Sequence, residues 1–397
     1  MRIAFIVQRY GAEILGGSEY HCRLIAERVA VRHDVDVLTT CARDYITWKN
    51  EYPEGVDRVR GVNVRRFAVA HTREIHAFNQ YSDWIFFNEH SADDEMRWLE
   101  MQGPWCPALL DYLAKHHRSY DALIFFTYLY APTVLGLQVA PERSILAPTA
   151  HNEPAIGLGI YREMFARPAA IAYNTAREKA FLKSTFEFNA VAEETIGCGV
   201  DLLDGRPAPQ SRTAPKGFPD DPFLLYGGRI DAGKGCGELV DFFGSYTDEG
   251  GTARLAMMGA KLMALPDVPW LRYVGLLSEA DRLRALEAAT VVVVPSPLES
   301  LSLLALEGMA VGTPVLCNAR ADVLVDHCTR SHAGLYYSDR DEFVECTKLL
   351  VADRRLRERM GRNGQAYVRS HYHWDVIMAK YDTLMAALPK VRDMPLR

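Results

Sequence analysis

The sequence predicts an α/β protein made of two doubly wound, Rossmann-like domains facing an interdomain cleft. Three observations predict it. Short apolar runs with β-branched residues alternate with helix-period stretches through the first half. A segment rich in Pro, Gly, Ser and charge, DGRPAPQSRTAPKGFPDDP at 204–222, interrupts that alternation. The alternation then restarts and continues almost to the end of the sequence. Parallel strands need crossover helices, so repeated βα units imply doubly wound sheets, and a linker between two such runs implies two domains. Ligands of such sheets bind beyond the carboxyl ends of the strands, which directs attention to the loops that follow them.

The bulk properties agree. The 397 residues suit two domains, since one domain usually holds roughly 100–200. The hydrophobic fraction of 49% and charged fraction of 24% are those of a soluble globular protein. A formal charge of −6 argues against a nucleic-acid partner, which wants a basic excess. Cysteines stand at 22, 41, 106, 198, 236, 317, 328 and 346, with no C-x-x-C pair and no Cys/His cluster at zinc spacing. No metal and no cofactor is expected, and scattered thiols fit a reducing, cytoplasmic setting. The opening MRIAFIVQRYGAE turns polar too soon for a signal peptide. The longest apolar run, near 288–316, is broken by Pro295, Pro297, Glu299, Glu307 and Pro314. It falls short of the about 18 apolar residues that cross a bilayer.

The elements follow in order. RIAFIVQ (2–8) reads as the first strand. A loop ending in Gly16 and Gly17 leads to a helix over 18–32, with Cys22, Ile25, Ala26 and Val29 on one face and Ser18 as its N-cap. Strands follow at 34–40, 62–69, 121–126, 144–148 and 169–173. The segment 74–105, with Phe78, Tyr81, Trp84, Phe86, Phe87, Trp98 and Trp105, reads as a helical insertion with its own small core. Arg58, Arg60, Arg65 and Arg66 read as a solvated basic face, compatible also with a membrane-bound acceptor and peripheral contact at the inner face of a membrane. After the linker, strands are expected at 223–228, 253–259, 271–275, 291–295 and 314–317, with helices near 235–246, 279–289 and 300–310 and from 339 on. Ser278 with Asp281 and Ser338 with Asp341 have capping-box spacing.

Three post-strand loops carry candidate chemistry. Gly16-Gly17-Ser18-Glu19 lets the backbone approach a ligand at a helix N-terminus, although a tight strand-to-helix turn needs the same residues. GGRIDAGKG (227–235) fits G-x-x-x-x-G-K from Gly228 to Lys234, but Gly235 stands where a phosphate-binding loop of NTPases needs Ser or Thr for magnesium. What remains is Arg229 and Lys234 beside a helix start, which suits a diphosphate held without a metal. In PSPLESLSLLALEGMAVGTPVL (295–316), Glu299 and Glu307 stand eight apart. If the stretch between them is helical, they lie about 12 Å apart along one side. That spacing is too wide for an acid/base couple at one bond and suits two ends of one long ligand. The ordinary alternative for Glu307 is a salt-bridged structural acid.

Together, Gly-Gly-Ser-Glu after the first strand, Gly-Arg-x5-Gly with Lys234, and Glu299-x7-Glu307 followed by GTPVL resemble the GT-B glycosyltransferases of family 4, in matching order over most of the chain. HYHWDVIMAKYDTLM (371–385) resembles the family's C-terminal element, whose last helix crosses back to the N-terminal domain. The resemblance implies an N-terminal acceptor domain over 1–203, completed by a crossing helix at 375–390, and a donor domain over 223–374. It implies retaining, metal-independent transfer from a nucleoside-diphosphate sugar, UDP- or GDP-linked, to a glycan, a lipid-linked sugar or a small molecule. By motif matching, Arg229 and Lys234, on the loop opened by Gly228, hold the diphosphate, and Glu307 holds the ribose. Glu299 lies against the donor sugar, whose hydroxyls meet the backbone of Ser300, Leu301, Ser302 and Leu303. Gly16 and Gly17 lie under the diphosphate and near the acceptor. His151, in HNEP, contacts the sugar near the reacting carbon, and Leu276 and Leu277 grip the base. After its first Glu the family usually has Gly, a bulky apolar residue, then Gly or Pro. Ser300-Leu301-Ser302 departs from this and leaves the sugar open. No nucleophile–base pair announces double displacement, so a front-face transfer is expected. The rival classes are a GT-B-shaped nucleotide-sugar epimerase and an inactive nucleotide-sugar-binding subunit.

Overall fold

The computed structural model describes residues 1–14, 16–202 and 213–389. Residues 204–212 of the expected linker, and residue 390 of the expected crossing helix, lie outside the described residues. The chain divides into two compact units. One comprises Met1–Cys198 with Ile377–Arg397, and the other Gly199–Val376.

Among the described residues the first unit holds eight strands: β1 (Arg2–Ile6), β2 (Asp34–Thr40), β3 (Gly55–Val59), β4 (Val62–Phe67), β5 (Ala122–Phe126), β6 (Ser144–Ala147), β7 (Ala170–Tyr173) and β8 (Ala192–Thr195). Their order is β3-β4-β2-β1-β5-β6-β7-β8, and only β3 runs antiparallel to its neighbour. Ile3 pairs with Val35 on one side and Ala122 on the other. β5, β6 and β7 are buried throughout, which is why they read as unbroken apolar runs. β3 escapes that reading because it is a charged edge strand, with Val56 exposed. Arg60 (φ 46°) and Gly61 (φ 88°) turn it into β4, as a two-residue hairpin requires.

Three local expectations are corrected here. The helix after β1 is Gly17–Val29 with Gly16 at its N-cap, and the Ser18 hydroxyl donates to Glu19 (3.0 Å) instead of capping. The basic face is not wholly solvated. Arg66 is buried, donates to the Tyr10 carbonyl (2.6 Å) and to Asp57 (3.1 Å), and lies over the Tyr52 ring. The insertion is helical, at Ile75–Ile85 and Ala92–Gln102, but it builds no core of its own. Phe78, Ile85, Trp98 and Leu99 join Leu38, Leu123 and Phe125 in one cluster. A pair of short helices gains more by adding its apolar stripe to an existing core than by closing around itself.

The last described helix, Trp374–Ala386, serves the first unit from Ile377 onward. Ile377 and Tyr381 are buried, Lys380 Nζ donates to the Thr195 carbonyl (2.6 Å), and Asp382 pairs with Arg32 (2.9 Å).

The second unit holds β9 (Phe223–Gly227), β10 (Arg254–Met258), β11 (Leu271–Gly275), β12 (Val291–Val294), β13 (Val315–Asn318) and β14 (Gly334–Tyr337). Its order is β11-β10-β9-β12-β13-β14, with every pair parallel. That is the Rossmann order, and its direction reverses between β9 and β12. Trp374 Nε1 donates to Asp201 (2.9 Å), and its ring fills the space a side chain at Gly199 would need. Ser278 caps Glu279–Ala288 as expected, accepting from the Asp281 N–H (3.1 Å). The second box is displaced by one residue. Asp339 caps Arg340–Ala352 by accepting from the Glu342 N–H (2.9 Å), and Glu342 accepts from the Ser338 N–H (2.7 Å).

Candidate active site

The carboxyl ends of β9 and β12 are neighbours at the reversal point of the second sheet, where such folds bind ligands. A glycine lets the two post-strand loops press together. Gly228 (φ 146°) leaves β9, and Gly235 (φ 71°) precedes the helix Cys236–Asp248. A side chain at Gly235 would start 2.3 Å from the Pro295 carbonyl oxygen. This closeness brings Lys234 to Glu299: Nζ donates to Oε1 at 2.8 Å, with Lys234 a third exposed and Glu299 largely covered. Asp231 accepts from the Lys234 N–H (2.9 Å) and pairs with Arg229. Both expected phosphate-binding cations therefore rest against carboxylates. Any diphosphate entering here exchanges partners with Glu299 and Asp231.

The stretch between Glu299 and Glu307 is not continuous helix, which corrects the rigid spacing expected for them. The helix is Leu303–Ala310, and Ser302 before it adopts φ 67°, ψ 83°. A residue with a β-carbon avoids that region, and such strain concentrates at functional sites. Ser302 gives the helix no side-chain cap. The first-turn N–H groups thus keep their capacity for an anion or a hydroxyl. Glu307 lies within the helix, buried, and pairs with Arg282 of Glu279–Ala288. Burial pushes its carboxyl above the ordinary range, while the charge and hydrogen bond of Arg282 pull the other way. Leu276, well exposed, and Leu277 follow Gly275 (φ 78°) at the carboxyl end of β11, on the same sheet edge.

In the first unit, the loop after β1 contains a buried ion pair that motif reading missed. Arg9 donates through Nε and Nη2 to Glu19 Oε1 (2.9 and 2.6 Å) and through Nη1 to the Arg43 carbonyl (2.9 Å). Burial raises the Glu19 carboxyl, but Arg9, together with hydrogen bonds from the backbone and Ser18, holds the group below its ordinary value. A side chain at Gly16 would start 2.3 Å from Glu19 Oε2, whereas one at Gly17 would meet nothing within 4 Å. His151 follows β6, with Nδ1 3.6 Å from Glu153 Oε1, which accepts from the Tyr128 hydroxyl (2.6 Å). The preceding residue, Ala150, donates its N–H to buried Glu178, as does Asn174. Burial pushes Glu178 up to about 8 against those two hydrogen bonds.

Arg282 had no motif to reveal it, whereas Asn318 stands two residues beyond GTPVL. Asn318 donates to the Pro295 carbonyl (3.0 Å) and so braces the Glu299 loop from β13. The signal for Arg282 was a glutamate in an apolar helix, which needs a cation from elsewhere in the chain. A cavity of about 590 Å³ lies at the opposite sheet edge, beside Thr290 and Pro314, away from these groups. Its Arg357 is occupied, donating to the Leu350 and Val351 carbonyls (2.7 Å each). Among the described residues no cluster of His, Cys, Asp and Glu is arranged for a metal, and no helix is long and apolar enough to cross a membrane.

Among solved structures, sucrose-phosphate synthase from Thermosynechococcus elongatus superposes with a TM-score of 0.68 at 18% identity, over 98% of each chain. The Anabaena protein HepE, in complex with UDP and glucose, gives 0.70 at 14% identity, over 98% of this chain and all of that one. The fold is GT-B. In sequence, residues 210–367 match the family described as Glycosyl transferases group 1. A glycogen synthase of Mycobacterium tuberculosis is 22% identical over 405 residues, 95% of this chain and 92% of that one. A D-inositol 3-phosphate glycosyltransferase of Jonesia denitrificans is 25% identical over 272 residues, 61% and 63% of the two chains. The chain is thus similar to glycosyl transferases of group 1, most directly over residues 210–367.

Proposed function

We propose that this protein is a family 4 enzyme that transfers a sugar from a nucleoside-diphosphate donor to an acceptor with retention of configuration, by a front-face mechanism and without a metal. The observation that carries the proposal is the Lys234–Glu299 contact beside the uncapped start of Leu303–Ala310, at the reversal point of the second sheet. It sets a cation, helix N–H groups and a carboxylate within the reach of one sugar diphosphate. Lys234 and Arg229 take the diphosphate, and Glu299, released from Lys234, turns to the sugar. Ser300 to Leu303 offer backbone groups to its hydroxyls. Glu307, steadied by Arg282, accepts from the ribose, and Leu276 and Leu277 frame the base. Gly16, Gly17 and His151 keep the roles that the family resemblance implies for them, toward the diphosphate and the sugar.

In the step itself, the bond from the anomeric carbon to the diphosphate oxygen breaks as the acceptor oxygen bonds on the same face. The acceptor proton passes to the leaving oxygen. Charge grows on that oxygen, where fixed cations and helix N–H groups stabilise it without reorganising. Because HepE holds UDP and glucose, UDP-glucose is the first donor to try, with GDP-sugars second, and the work is assigned to the cytoplasm. The test is incubation with donor alone and with glycan, lipid-linked and small acceptors, followed by NMR of the products. An α-linked product or free sugar supports the proposal. An altered nucleotide sugar identifies an epimerase, and binding without consumption an inactive subunit. Activity that collapses in EDTA and returns with magnesium would refute the metal-free step.

A further inference from the structure

We infer that His327 is a positioning residue for the loop that receives the donor sugar, an inference that rests on the reading of Glu299 to Leu303 given above. His327 belongs to the helix Asp322–Ser331 and is fully covered. Its Nε2 lies 2.8 Å from the Leu301 carbonyl oxygen, and its Nδ1 3.1 Å from the Tyr367 hydroxyl. A carbonyl oxygen only accepts, so Nε2 carries the proton. Nδ1 is then an acceptor, and the Tyr367 hydroxyl donates to it. The two neighbours therefore fix both tautomer and ring orientation. Burial, which depresses His327 to about 4, keeps the ring neutral at working pH. Tyr367 comes from a different helix, Arg354–His371, so two helices converge on one peptide of the donor loop.

That peptide is the one entering Ser302, the residue with positive φ. In a trans peptide the C=O and N–H point to opposite sides. With the Leu301 carbonyl held by His327, the Ser302 N–H is directed away from the helix Asp322–Ser331, and no described residue accepts from it. Without the anchor, Ser302 would relax toward negative φ and the peptide would rotate. His327 thus sets the direction of a donor group offered to the sugar, while touching neither nucleotide nor sugar.

The experiment compares His327→Leu, which removes the anchor, with His327→Gln, whose side-chain amide can donate to the same carbonyl. The expected result is a melting curve and UDP affinity close to wild type for both, because the nucleotide is held elsewhere. Turnover of UDP-glucose should fall by about ten- to a hundredfold in the Leu variant, as displacement of a positioning group does, and recover most of the way in the Gln variant. Unchanged turnover in His327→Leu overturns the inference. So does a loss of UDP affinity in step with turnover and melting temperature, which is what a mere brace gives. Should the Leu variant not fold, Tyr367→Phe removes the hydroxyl that holds the ring's orientation from its Nδ1 side. A drop in turnover at unchanged UDP affinity supports the inference, and none overturns it. Calorimetry of the wild type and of Lys234→Ala with UDP and GDP separates the two levels. If the wild type binds neither diphosphate, the donor-site reading falls and takes this inference with it. If it binds one and Lys234→Ala does not, the donor site stands and the His327 variants alone decide.

Discussion

Glu299 and Lys234 hold each other at 2.8 Å, so neither can be removed without altering the other. Lys234→Ala and Arg229→Ala each delete a charge-assisted phosphate contact. Nucleoside-diphosphate affinity should fall by about 1.5–3 kcal/mol per variant, and near-normal titrations of both would refute the assignment. Glu299→Gln releases Lys234 from its resting partner. Diphosphate affinity should hold or rise while turnover falls, because the carboxylate acts where positive charge grows on the sugar. Glu307→Gln should behave differently. It leaves the Arg282 guanidinium opposite a neutral amide in a covered site, so stability and diphosphate affinity fall together. The stability loss stays below the roughly 3–5 kcal/mol of a fully buried pair, since Arg282 is about a quarter exposed. Calorimetric titration beside denaturant melts distinguishes the two glutamates. Both glutamates and both cations were legible as motif residues. Arg282 was not, because its pairing joins two helices 25 positions apart and leaves no local pattern.

At the scale of elements, Gly16 and Gly17 look alike in sequence and differ in structure. Gly16→Ala drives a methyl into the Arg9–Glu19 pair and should lower stability and activity together. Gly17→Ala meets nothing in the protein and opens a helix, where Ala is the better former by about 1 kcal/mol. If the loop lies under a diphosphate, Gly17→Ala should keep or raise the melting temperature and still lose turnover. An active Gly17→Ala variant would show that the second glycine serves only the turn. The same contrast explains which elements could be read. β5, β6, β7 and β12 are covered on both faces, so their apolar runs stand out. β3 and β8 are the two edges of the first sheet, and they carry Asp57, Arg58, Glu193 and Glu194, charges that blunt pairing with other chains. Their alternation is therefore missing from the sequence. The helix start at Asp339 was misplaced by one because Ser338 and Asp339 are both good caps, and only the backbone selects between them.

For the whole molecule, the strand order follows from rules that act on any βα repeat, which is why two doubly wound sheets could be expected from the alternation alone. What that pattern could not show is how each unit buries its titratable groups, and these give the two units different responses to pH. In the second unit burial depresses His327 to about 4, against about 6.5 when unfolded. The unfolded state then binds more protons between those values, so stability rises with pH from 4 to 6.5, by about 3 kcal/mol for such a shift. Glu307, raised by burial, opposes part of that gain above the ordinary carboxylate range. In the first unit His21, donating to the Gly197 carbonyl, is likewise depressed to about 4, but Glu178 is raised to about 8. A raised carboxyl gives stability that is full below its unfolded value, about 4.5 here, and is lost as pH rises to 8. The two groups nearly cancel between 4.5 and 6.5, and above 6.5 only the loss remains. Denaturant melts at pH 4.5, 6.5 and 8, followed by probes in each unit, should show the first unit level and then falling. The second should rise and then hold. Glu178→Gln should abolish the fall in the first unit, and His327→Gln should flatten the rise in the second. Parallel pH profiles for the two units, or profiles unmoved by these substitutions, would show that other groups govern the response.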